Sequence, residues 1–329
     1  MARSTVLHPA GLIVLALWAV ANYAALRLAN GFLPFDQPRL AGMPYWERMA
    51  VPSIGLIQIF ALMGVVYAMT RKRIVPDMAA RSPAKRVAFL EVLGLLAYAM
   101  LGQAGGWLLG PALGYRPFSF HIAGTLFGCS TLASPGEVWT WMSYNFAVFA
   151  VAPYLWFRRR YSATDLNLKS TAPGADVLLI LVIAIVESAW ELANFHDIFK
   201  LGPHVLATAV PLTFFIFFLG TVLPTMILIY AILLPRYLRL TGSPIVTVLL
   251  GGLTYALMHL VEGWSNFSTP RDTALSILFV FLSYIGPGMF KSFVTLRTGN
   301  AWVHALGYHA IAPHTIVDTP MFAKIFGIG

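Results

Sequence analysis

The chain has 329 residues, of which 58% are hydrophobic and only 11% charged, with a formal net charge of +9. A soluble domain carries about a quarter charged residues, and mean hydropathy here is +0.74, so a soluble enzyme and a nucleic-acid-binding module are both excluded. The single cysteine, Cys129, excludes an intrachain disulfide and any multi-cysteine metal site.

About 20 apolar residues are needed for a helix to cross the ~30 Å hydrocarbon core. Nine stretches qualify in chain order: 9–30, 50–70, 87–111, 138–157, 175–195, 211–234, 244–262, 273–290 and 300–317. The first has a basic start, is too long for a signal-peptide core and ends on no cleavage site. None shows the alternation of barrel strands, so the predicted fold is an all-α polytopic membrane bundle. The lipid bilayer is then its constant partner.

Basic residues fall between spans in a regular way. Arg71, Lys72, Arg73, Arg81, Lys85 and Arg86 follow the second span, and Arg158, Arg159 and Arg160 the fourth. Arg236 and Arg239 follow the sixth, Lys291 and Arg297 the eighth. The positive-inside rule puts these loops and the N-terminus in the cytoplasm and the C-terminus outside. Residues 158–174 form the most loop-like stretch. They divide a four-helix N-terminal region, 1–157, from a five-helix core, 175–329.

Ionisable groups inside spans are costly, at least ~2.5–3.5 kcal/mol for a carboxylate, and mark candidate sites. Glu187 and Glu191 lie four apart in IVESAWELANF, on one helix face. His259 and Glu262 lie three apart in ALMHLVEGW, and His309 sits in mid-span. At ~1.5 Å per residue, Glu187, His259, His309 and His314 lie roughly 14–22 Å from the cytoplasmic ends of their helices, so they share a depth. The five-residue spacing of His304, His309 and His314 turns each about 140° from the last on an α-helix, which separates His304 from His309 and leaves it a structural residue. Beyond Pro313, His314 and Asp318 join Glu262 as candidate ligands of a single divalent metal.

HExxH, GxSxG, Walker and GxGxxG signatures are all missing. The chemistry left open is water activation by a buried carboxylate, with histidines stabilising an oxyanion.

YALMHL at 255–260 and LRTGNAWVHALGYHAIAP at 296–313 resemble the FxxxH and last motifs of the CPBP family of CAAX-protease and bacteriocin-processing proteins, and LNL at 166–168 resembles a turn that precedes its core helices. The resemblance covers about 140–320. It implies a CPBP-like helical core that hydrolyses peptide bonds of a membrane peptide or lipidated protein, with His259 and His309 as the two motif histidines. The family's EExxxR glutamates have no counterpart: Pro224, Thr225 and Met226 stand in their place, Ile229 or Tyr230 replaces the arginine, and Pro313 replaces the last asparagine. Two readings follow. In one, Glu187 or Glu191 substitutes as the water-activating carboxylate, giving Glu187, Glu191, His259 and His309 as catalytic residues. In the other, the fold survives as an inactive scaffold or chaperone, or carries a small solute or ion past the same polar groups.

Overall fold

A computed structural model describes residues 9–35, 43–120, 133–260 and 264–329. His8, His121, Cys129 and Glu262 lie outside the described residues. Of the described residues 77% are helical, and no strand occurs among them. The helical rods are α1 Pro9–Ala29, α2 Tyr45–Thr70, α3 Lys85–Ala112, α4 135–158, α5 Pro173–Asn194, α6 Pro203–Thr241, α7 Pro244–Met258, α8 Pro270–Thr298 and α9 302–325. Rods α1, α2, α3, α6 and α8 are long and apolar enough to cross a membrane. By contrast, the 15 residues of α7 reach only ~22 Å.

Outward faces are apolar: Leu17, Ile57, Leu101, Leu108 and Ile185 are each more than 60% exposed. Water would disfavour so much contiguous apolar surface, whereas lipid does not. The centre is α6. Met226 to Leu233 are buried on every side, as expected of a helix that is hydrophobic all round. One apolar core joins Val92, Leu95 and Phe149 to Tyr230, Tyr255 and Met289, so packing runs across residues 158–174.

Three rods leave the α-helical ladder. α4 turns π-helical over Phe146–Val151, α6 over Phe218–Val222 and Met226–Leu233, and α9 over Ala305–His309 and Ile311–Ile316. Proline lies within or just beyond each rod's π-helical stretches: Pro153, Pro224 and Pro235, and Pro313. Its missing N–H and bulky ring disrupt the regular i→i−4 bonding, and the wider turn accommodates this.

The loops after α2, α4, α6 and α8 gather at one pole, where polar groups interlock. Asp176 accepts hydrogen bonds from Arg73, Ser170 and Asn300. Asn167 accepts from Arg81 at 2.7 Å, donates to the Tyr230 carbonyl and receives the Ala301 N–H on its own carbonyl. Arg297 binds the end of α2 at Thr70. The expectation that Arg236 and Lys291 are loop charges is corrected here. α6 and α8 run on to Thr241 and Thr298, and both residues are fully buried. Arg236 pairs with Glu91 at 2.6 Å, between the rings of Phe157 and Tyr161.

Candidate functional site

On α5 the buried positions are Asp176, Leu179, Ile183, Glu187 and Glu191. This is one helical stripe that begins at the basic pole, turns apolar and ends in two carboxylates. α9 lies against it because Gly307 carries no side chain: a Cβ there would come within 3.2 Å of the Ile180 backbone. On the other side, α7 and α8 meet through Gly252 and Gly288, where an added Cβ would strike the neighbouring backbone at 2.8 Å. Small residues let membrane helices approach this closely. Tyr255 of α7 and Lys291 of α8 are thereby brought to the same space as Glu187.

That space is a cavity of about 580 Å³. Gln58, Glu187, Glu191, Tyr255, Lys291, Tyr308, His309 and His314 are its polar walls. Met43, Trp46, Glu47, Asn194 and Trp264 line it toward the pole opposite the basic loops. Gln58 donates a 2.8 Å hydrogen bond to Glu187. The hydroxyl of Tyr255 lies 3.4 Å from His309 Nε2.

The π-helical turns of α9 change the histidine register. Their hydrogen bonds run from Ala310 N to Ala305 O and from Thr315 N to Ala310 O, five residues back. Residues five apart then fall near one another instead of 140° apart. His309 and His314 accordingly have ring centroids 5.0 Å apart and both line the cavity. His314 also lies 3.1 Å from Asp318 through Nδ1 and stacks on Phe217. His304 is fully buried against Tyr230, away from the cavity lining.

His259 does not line the cavity. It caps the C-terminal end of α7, stacked on Tyr284 with centroids 3.8 Å apart and against Tyr255 at 4.6 Å. Both tyrosines line the cavity, so His259 stands behind them. At the place of the missing EExxxR motif, Thr225, Met226, Ile229 and Tyr230 are buried in the core of α6, and Pro313 lies on the cavity wall. Among the described residues, no three His, Cys, Asp or Glu side chains gather as a metal site. His314 and Asp318 form a pair there, and Glu262 lies outside the described residues.

Lys291 is the residue that span counting missed. It is fully buried, its Nζ has no hydrogen-bond partner among the described residues, and it lies 3.6 Å from the centroid of the Tyr255 ring. The signal was present: Met289, Phe290, Phe293, Val294 and Leu296 continue the apolar run on both sides of it. A helix extended through that run carries the lysine into the bundle. No family model, curated protein or solved structure matches the chain.

Proposed function

We propose that the chain is a multi-pass membrane hydrolase, with its basic pole in the cytoplasm and its C-terminus outside, and that the cavity is where a peptide bond is cleaved. The observation that carries this reading is that Glu187, Glu191 and His309 line one cavity inside an apolar bundle. The orientation rests on the gathering of basic loops at one pole. Glu187 is the water-activating base, steered by Gln58, and takes a proton as the water oxygen attacks the carbonyl carbon. Glu191, one turn further along α5, is the second carboxylate. His309, held beside the Tyr255 hydroxyl, serves the leaving amine. His259 acts through Tyr255 and Tyr284, so it is a positioning residue. The substrate class is a membrane peptide or lipidated protein, as the resemblance of the C-terminal motifs implies.

The test is cleavage of a fluorogenic, membrane-partitioning peptide by the purified chain in proteoliposomes. Glu187→Gln and His309→Ala are expected to abolish turnover while membrane insertion is retained. Cleavage unchanged in both variants would remove the hydrolytic reading and leave the scaffold and transport readings.

A further inference from the structure

A hydrolytic site needs a donor where negative charge develops on the carbonyl oxygen. Of the two motif histidines, His259 does not line the cavity and stands behind Tyr255 and Tyr284. Lys291 lies where His259 does not: it lines the cavity, is fully buried and holds its Nζ with no hydrogen-bond acceptor among the described residues. A buried ammonium without an acceptor is costly, and the face of Tyr255 at 3.6 Å and that of Tyr308 at 5.6 Å recover only part of the cost.

Lys291 is not simply the counterion of Glu187. The two interact electrostatically, yet among the described residues no carboxylate oxygen comes within 4.0 Å of Nζ to form an ion pair. Each is held by something else, Glu187 by Gln58 and Lys291 by the tyrosine faces. A base and an electrophile thus share one cavity with a gap between them.

We propose that Lys291 is the oxyanion-stabilising catalytic residue of this cavity, its ammonium taking the carbonyl oxygen of a membrane-embedded acyl substrate while Glu187 delivers water to the carbonyl carbon. The assignment rests on the hydrolytic reading. As the water oxygen bonds to carbon, the carbonyl π pair moves onto the oxygen facing Lys291, and the water proton goes to Glu187. Collapse of the tetrahedral species breaks the C–N bond, and the leaving amine takes up a proton from His309, which is reprotonated by Glu187. Water and amide are consumed, and acid and amine are released.

The test uses the full chain in nanodiscs and the fluorescence of Trp46 and Trp190, which line the cavity. The probes are monomethyl decylphosphonate, a tetrahedral anion, and methyl undecanoate, its neutral carbonyl counterpart. The wild-type chain is expected to bind the phosphonate at least about tenfold more tightly. Lys291→Met abolishes that preference, Lys291→Arg keeps part of it, and Glu187→Gln keeps it whole. Equal affinity for both probes in the wild type, or a preference that survives Lys291→Met, overturns the assignment. In the peptide assay Lys291→Met is expected to slow turnover by about 10²–10³. Peptide turnover without phosphonate preference would sink the Lys291 role and leave hydrolysis standing. Phosphonate preference without turnover would sink hydrolysis and with it the catalytic role, leaving Lys291 as an anion seat only.

Discussion

The basic pole and the cavity are built from the same residue types and treat them in opposite ways. At the pole, buried charges have ionic partners: Asp176 accepts from three donors, and Arg236 pairs with Glu91 and lies against two aromatic rings, although its Nη2 has no hydrogen-bond partner among the described residues. In the cavity, Lys291 has neither an acceptor nor an ionic partner among the described residues, although it lies in the same bundle and is equally buried. Paired networks hold loops together. A buried charge left open stores cost at a place where a ligand recovers it. The contrast teaches that burial alone does not identify function; a buried charge without an ionic partner on a cavity wall is what sets Lys291 apart.

Perturbing each region separates these roles. Asp176→Ala strands Arg73 and Asn300 and is expected to cost about 3–5 kcal/mol, read as a lowered unfolding midpoint in detergent. An unchanged midpoint would show that the pole network is not structural. Gln58→Leu removes the donor to Glu187 inside the cavity and is expected to cost about 1–3 kcal/mol in the same assay. Lys291→Met runs the other way: loss of an unaccepted ammonium is expected to raise stability by about 1–2 kcal/mol even as it removes function. A fall of the size seen for Asp176→Ala would place Lys291 with the pole residues. The smallest effect belongs to neither region. In the loop after α5, a hydrogen bond from Lys200 at 2.6 Å holds the Asp197 carboxyl below its usual range. Its contribution is complete above the unfolded value near ~3.9 and is lost as pH falls through the lower folded value. For so exposed a pair the loss stays below about 1 kcal/mol, and acid titration of Asp197→Asn beside the wild type measures it.

Much of the helical layout was legible in the sequence. Five of the nine apolar stretches fall on rods long and apolar enough to cross a membrane, α1, α2, α3, α6 and α8, because about 20 apolar residues in lipid have few alternatives to a helix. The stripe of Glu187 and Glu191 was equally plain, since four residues on an α-helix return to one face. Legibility failed where the backbone left the α period. His309 and His314 were separable by 140° only on an α-helix, and the π-helical turns of α9 bring them together. It failed again at span ends. Lys291 was counted as a loop residue because a charge looks like a boundary, yet α8 runs on to Thr298. His259 was placed by its depth in the bilayer, and depth does not tell which side of Tyr255 and Tyr284 a ring occupies.

By itself, the sequence determined that this chain is helical, apolar and membrane-bound in character, with a few ionisable groups inside its apolar stretches. Those properties follow from composition and from local periodicity along one helix. Tertiary structure alone decided which of those groups meet. Gly307 lets α9 reach α5, and Gly252 with Gly288 lets α8 reach α7. Contacts between helices far apart in the chain depend on shape matching between their faces, which no local pattern encodes. Through them Lys291 enters the cavity and His259 is left behind its wall.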